Sequence, residues 1–231
     1  RSIRLSPGPG GDVLPTSDAE AFRMIRAHLH HLNVDRDLKT LLVVSAAPGE
    51  GKTTVARHLA EADAAMRRGT PLLIEADLRA PALAAQLAMA SGLGLSDVLS
   101  RGVPLSYATQ SLDVGPGSDP GSGPDRQHLD VLVAGPMQPP NPGQLLASGA
   151  MRSVLEEARR THPFIVIDTP PLAAVSDAFP LLNLVDGVVI VARVGQSHRD
   201  VAMQLSEALR SVDAPVLGGI ANGVEGHGFA P

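Results

Sequence analysis

Lys52 and Thr53, with glycines at positions 49 and 51 ahead of them, are the residues whose spacing most directly implies chemistry. They close the stretch Ala46-Ala47-Pro48-Gly49-Glu50-Gly51-Lys52-Thr53, which meets the pattern G/A-x-x-x-x-G-K-S/T with alanine in first place. Gly49 and Gly51 let the backbone wrap an anion so that successive N–H groups point inward. A helix opening at Lys52 adds its free N–H groups and positive dipole end to the same cradle. The Lys52 ammonium reaches β- and γ-phosphates as a mobile point charge, and the Thr53 hydroxyl is a ligand for Mg²⁺. Residues Ala47, Pro48, Gly49, Glu50, Gly51, Lys52, Thr53 and Thr54 are therefore expected to hold the phosphates of Mg-ATP.

Two further strand ends carry acids. Phe164-Ile165-Val166-Ile167 runs into Asp168, an arrangement that places a carboxylate beside the loop hydroxyl to hold Mg²⁺; the plainer reading is an aspartate capping a strand at Thr-Pro-Pro. Leu72-Leu73-Ile74 runs into Glu75, with Asp77 and Arg79 following. Acids two apart lie on one face of an extended strand, so one can face the metal or the attacking group while the other orients it. Arg79 either pairs with them or approaches the transferred phosphate, and a solvated acid/base turn is the alternative.

These groups need a frame that brings strand ends together. Runs at 38–46, 71–77, 129–135, 163–168, 185–192 and 215–222 read as strands, and helical patterns fall at 18–32, 52–68, 81–90, 95–102, after 143 to about 161, and 199–212. PPNPG (139–143) is expected to be non-helical. Alternating strands and helices predict an α/β fold of the P-loop NTPase kind, with a mostly parallel central sheet flanked by helices on both faces. Residues 1–17 read as a flexible arm or linker, 18–231 as a single nucleotide-binding unit, and 113–125 as a mobile Gly/Pro/Ser-rich loop.

Composition narrows the function classes. The apolar share is 44% and the aromatic share only 2%, so the core is aliphatic, and the absence of cysteine excludes disulfide and thiol chemistry. A formal charge of −5 argues against nucleic acid as the partner. No apolar run approaches the ~18 residues that span a bilayer. The chain starts at Arg1, compatible with a piece of a longer protein. His28, His30 and His31 have no nearby carboxylate to complete a zinc set and read as a solvated helix face.

The combination PGEGKTT (48–54), LLIEADLRAP (72–81) and FIVIDTPP (164–171) resembles the bacterial tyrosine kinases of capsule and exopolysaccharide assembly, the BY-kinases. The likeness extends through GLSDVLSRG (94–102), PPNPGQLLAS (139–148), VSDA (175–178) and LGGIANGV (217–224), covering nearly all of the chain after about residue 18. It implies an ATP- and Mg²⁺-dependent protein-tyrosine kinase in which Lys52, Glu75, Asp77, Arg79 and Asp168 are catalytic. Thr53, Asp77 and Asp168 would be the metal ligands, and Asn222 would meet the adenine. It further implies a ring-like self-association through Glu20, Arg23 and Arg26, which their spacing is expected to set on one helix stripe. A membrane-embedded chain-length regulator as activator, protein tyrosines as substrates and a cytoplasmic place at the inner face of the membrane complete the implication.

The resemblance departs in two places. Glu75 stands where the family usually has aspartate, which moves the carboxylate by about 1.5 Å, one C–C bond. The family's tyrosine-bearing tail has no counterpart in the closing GVEGHGFAP, and the one tyrosine, Tyr107, follows a Gly-Val-Pro turn and is expected to pack against the protein. Two other readings remain: a ParA/MinD-like ATPase switch, which usually carries a lysine where Ala47 stands, and an ATP-gated scaffold of polysaccharide assembly without phosphoryl transfer.

Overall fold

The aliphatic runs form the middle of one eight-stranded sheet in a computed structural model that describes residues 2–3, 16–32, 37–90, 92–114 and 127–223. The strands are β1 (Ser2–Ile3), β2 (Thr40–Ser45), β3 (Leu72–Glu75), β4 (Gln110–Val114), β5 (Gln127–Leu132), β6 (Ile165–Asp168), β7 (Gly187–Arg193) and β8 (Val216–Asn222). Their spatial order is β1-β8-β7-β2-β6-β3-β5-β4. Every pairing is parallel except that of β4 with β5.

Strand β2 is buried at every position, and its period-two alternation feeds both cores. Leu41 and Val43 pack with Phe22, Val55, Leu59 and Phe164 under α1 (Thr16–Leu32) and α2 (Lys52–Ala64). Leu42 and Val44 face the opposite core. There Leu95, Leu146, Met151, Leu155, Leu205 and Leu209 come from α4 (Leu95–Arg101), α6 (Pro142–Leu146), α7 (Gly149–Thr161) and α8 (Arg199–Ser211). A central strand buried on both faces carries its carboxyl end to the rim of the sheet, where a ligand can reach it.

Several expectations shift. The 81–90 helix shrinks to α3 (Leu83–Gln86), and α2 stops at Ala64, with Gly69 at φ 121° in the turn beyond. Pro142 and Gly143 are helical after all: Pro142 sits in the first turn of α6, where no backbone donor is required of it. The long helix expected after 143 is two, because Ser148 breaks it and caps α7, accepting from Met151 N at 3.3 Å. Strand β4 and the single turn α5 (Leu105–Ala108) appear where no element was expected. Thr16 and Ser17 already belong to α1, Ser2–Ile3 to β1 and residues 113–114 of the supposed loop to β4; residues 4–15 of the supposed arm lie outside the described residues, as do 115–125 of the loop.

Helix α1 also corrects the self-association stripe. Glu20 and Arg23 form an exposed pair at 2.6 Å, but Arg26 is buried, with its Nε donating to Asp63 at 2.6 Å and its guanidinium 3.9 Å from the Phe164 ring centre. At 100° per residue, Arg26 is rotated about 120° from Glu20, which turns it to the core.

Candidate nucleotide and phosphoryl-transfer site

Three parallel strands, β2, β6 and β3, end side by side, and their ends supply the site. Val43 pairs with Asp168 across β2–β6, and Glu75 pairs with Asp168 across β3–β6. After β2 the chain turns through Gly49 (φ 76°) and Gly51 (φ 95°) into α2. A Cβ at Gly51 would lie 2.1 Å from Asn222 Nδ2, so any other residue there is strained by its φ and must push Asn222 off the loop.

The loop is held from outside by side chains that leave its inner N–H groups free for an anion. Glu50 is buried; its carboxylate accepts from Ala47 N at 2.8 Å and from the Ser197 hydroxyl, which itself accepts from Arg193 N at 2.8 Å. Arg193 Nη1 donates to Gly49 O at 3.3 Å, and Asn222 Nδ2 donates to Glu50 O at 2.9 Å. Arg193 and Ser197 were not singled out in the sequence. The signal was the polar stretch from Arg193 to Ser197 that closes an otherwise apolar strand. Asn222, expected at the adenine, is buried and braces the loop backbone, with its Oδ1 unpartnered.

Lys52 is 7% exposed and donates to Ser45 Oγ at 2.9 Å. Burial lowers its pKa, against the raising effect of Asp168, Asp77 and Glu50. Thr53 Oγ1 donates to Asp168 Oδ2 at 2.6 Å, whereas Asp168 Oδ1 is buried with no partner. Burial, aided by the Glu75 and Asp77 charges, pushes the Asp168 carboxyl up to about 7 although Thr53 and Lys52 oppose the shift. A hard cation with oxygen preference fits this pair of groups: the orphaned oxygen gains a partner and the buried charge a counter-charge.

A consequence is testable without catalysis. A raised carboxyl pKa means the folded state keeps a proton that the unfolded state releases, so stability falls as pH rises from about 4 to 7. In magnesium-free protein Asp168→Asn is therefore expected to melt above wild type at pH 8, by on the order of a few kcal/mol at most, with the gap closing at pH 5. Magnesium and nucleotide together should stabilise wild type at pH 8 and leave the variant nearly unmoved; equal stabilisation of both would remove Asp168 from the metal site.

The acids after β3 do not act as a same-face pair, because the strand ends at Glu75. Glu75 is 1% exposed and wholly engaged: Oε1 accepts from Ala82 N at 2.6 Å and Leu83 N at 2.7 Å, and Oε2 from Ala134 N at 3.0 Å. It ties α3 and the end of β5 to β3 and points at no solvent. Asp77 is half-buried; Oδ1 caps the turn, accepting from Arg79 N at 3.3 Å and Ala80 N at 3.0 Å. Arg79 pairs with neither acid. Its Nε and Nη2 engage both oxygens of Asp177, the latter pair at 3.0 Å. Asp177 is thus a site-edge residue that the sequence offered only within VSDA.

Comparison with known proteins agrees with this geometry. No family model matches the chain. The tyrosine-protein kinase YwqD of Bacillus subtilis is 36% identical over 206 residues, 89% of this chain and 81% of its own length. The solved kinase domain of the Escherichia coli tyrosine kinase Etk superposes with a TM-score of 0.80 at 30% identity, covering 93% of this chain and 79% of that domain. MinD of Pyrococcus horikoshii, solved with Mg-ADP, shares the fold with a TM-score of 0.62 at 22% identity, over 80% of this chain and 70% of its own.

Proposed function

The chain belongs to the bacterial tyrosine-protein kinases, and from that premise we propose that it transfers the γ-phosphoryl group of ATP to protein tyrosines in the control of capsular or exopolysaccharide synthesis. The observation that carries the reading is the Thr53–Asp168 contact at 2.6 Å beside buried Lys52, at the mouth of a glycine-shaped anion cradle. The loop N–H groups and Lys52 bind and orient the triphosphate, and the α2 dipole favours its charge. Thr53 and Asp168 would hold Mg²⁺, which when bound offsets the charge on the β- and γ-phosphates. Asp77, half-buried and bonded to the backbone through Oδ1 alone, orients the acceptor hydroxyl and takes its proton through its other oxygen. The phenolic oxygen bonds to the γ-phosphorus as the bond to the bridging oxygen breaks, and ADP leaves.

The reading extends to partners. Relatives of this chain include a protein named for succinoglycan biosynthesis transport, of which it spans 25%. No helix among the described residues is long and apolar enough to cross a membrane. A membrane-embedded chain-length regulator that recruits the domain to the inner face of the membrane fits both facts. Self-association would run through Glu20 and Arg23, whose exposed charges can exchange their intrachain partner for one on a second copy.

Purified chain incubated with γ-labelled ATP, Mg²⁺ and a tyrosine peptide, with the regulator's cytoplasmic segment present, should label the peptide on tyrosine. Phosphate release without tyrosine label would instead assign an ATPase switch. In sedimentation, Arg23→Glu should weaken assembly while changing stability by no more than about 0.5 kcal/mol; assembly unaffected by this charge reversal would remove α1 from the interface.

A further inference from the structure

Tyr107 is the one tyrosine in the sequence, and the residue is 78% exposed, contrary to the expectation that it would pack. Leu105 and Ala108, three apart, share the inward side of the single turn α5 and are buried, which leaves Tyr107 on the outer side. No hydrogen bond to a described residue holds its hydroxyl. The turn itself is closed by Tyr107 N to Pro104 O and Thr109 N to Leu105 O, each at 3.0 Å. Thr109 Oγ1 adds a bond to Leu105 O at 2.9 Å, so the turn is held on the core and presents the tyrosine outward from a fixed place. Residues 102–112 contain no acidic side chain, so an approaching nucleotide meets no like charge from the segment.

Its position decides which site can reach it. β4 begins at Gln110 opposite Val131, close to the carboxyl end of β5, so α5 lies toward the rim that carries the phosphate loop. Yet β4 stands four strands from β2 in the sheet order, roughly 19 Å at the usual strand spacing of about 4.8 Å. The chain's own γ-phosphate position is beyond the reach of a tyrosine side chain anchored there.

We propose that Tyr107 is a phosphoacceptor site of this chain, modified in trans by a second copy. The proposal rests on the kinase function above. Tyr107 Oη bonds to the γ-phosphorus of ATP held by the other copy, the bond to the bridging oxygen breaks, ADP leaves, and the phenolic proton passes to the donor's acid or to water. The product carries about −1.5 to −2 charge on a surface that had none at that residue.

The test uses the full chain with Mg-ATP, an exogenous tyrosine peptide in a parallel tube, and mass spectrometry of the intact protein. Wild type should gain one phosphate at Tyr107. Tyr107→Phe should lose at least about tenfold of that label while phosphorylating the peptide within about twofold of wild type. Mass-tagged Lys52→Ala chain, mixed with Tyr107→Phe chain as donor, should be labelled at Tyr107, which shows transfer between copies. Peptide labelled but Tyr107 unlabelled overturns this proposal and leaves the kinase function standing; label retained in Tyr107→Phe also overturns it. Absence of label on both peptide and chain sinks the kinase function and the proposal together.

Discussion

Lys52→Ala is expected to lower kcat for tyrosine transfer by about two to three orders of magnitude, the cost of removing one preorganised charge from a phosphoryl-transfer site. Nucleotide affinity should fall about ten- to a hundredfold, equivalent to roughly 1.5–3 kcal/mol for a charged hydrogen bond. The larger effect falls on kcat because the ammonium meets charge that shifts during the reaction, whereas the loop N–H groups continue to bind the ground state. Lys52 is 7% exposed and held by Ser45 Oγ, so its position is fixed before ATP arrives. Truncation leaves the fold in place: alanine is a good first-turn residue, and Gly51 still sets the loop at φ 95°. Titration with a fluorescent ATP analogue and single-turnover transfer, with circular dichroism as the folding control, separate the two effects. Transfer within about threefold of wild type would mean that this lysine does not touch the reacting phosphate.

What the sequence disclosed depended on range. The phosphate loop is legible because its geometry is local: two glycines, a lysine and a hydroxyl within a few residues fix both the turn and its ligand. The β6 strand and Asp168 are legible because a fully apolar run that stops at an acid has few other uses. Strand β4 was missed because QSLDV lies at the edge and is only partly buried, so its side chains lack the apolar signature. Tyr107 was misjudged through the preceding turn, although the spacing of Leu105 and Ala108 already points it outward. Arg26 was expected on the self-association stripe and Arg79 beside Glu75 and Asp77 or the transferred phosphate, whereas their partners Asp63 and Asp177 lie 37 and 98 residues away. Long-range ion pairs of this kind are set by the packing of α1 on α2 and by the loop after β6, which no local pattern encodes.

The same limit governs Glu75 and yields the second large expectation, on stability. The family resemblance makes Glu75 a catalytic acid, but its buried carboxylate accepts three backbone N–H groups, from Ala82, Leu83 and Ala134. Glu75→Ala would orphan all three donors inside the protein, at an expected cost of about 3–5 kcal/mol, a large part of a domain's total stability. Glu75→Gln keeps one acceptor oxygen but turns an NH₂ toward a backbone N–H, for an expected loss of about 1–3 kcal/mol. The extra methylene relative to aspartate then has a structural reason: it lets one carboxylate span from the end of β3 to both α3 and β5, and Glu75→Asp should lose at least one of these contacts. If Glu75 were instead the base, Glu75→Gln would abolish transfer and leave the melting temperature unchanged. The expected pattern is the reverse. Glu75→Gln lowers the melting temperature and retains measurable transfer below it, whereas Asp77→Asn keeps the melting temperature close to wild type and loses about 10²–10⁴-fold in kcat, the range for removing a positioned proton acceptor. Denaturant melts and initial rates on the same two variants decide between the roles, and a stable, inactive Glu75→Gln protein would return Glu75 to the chemistry.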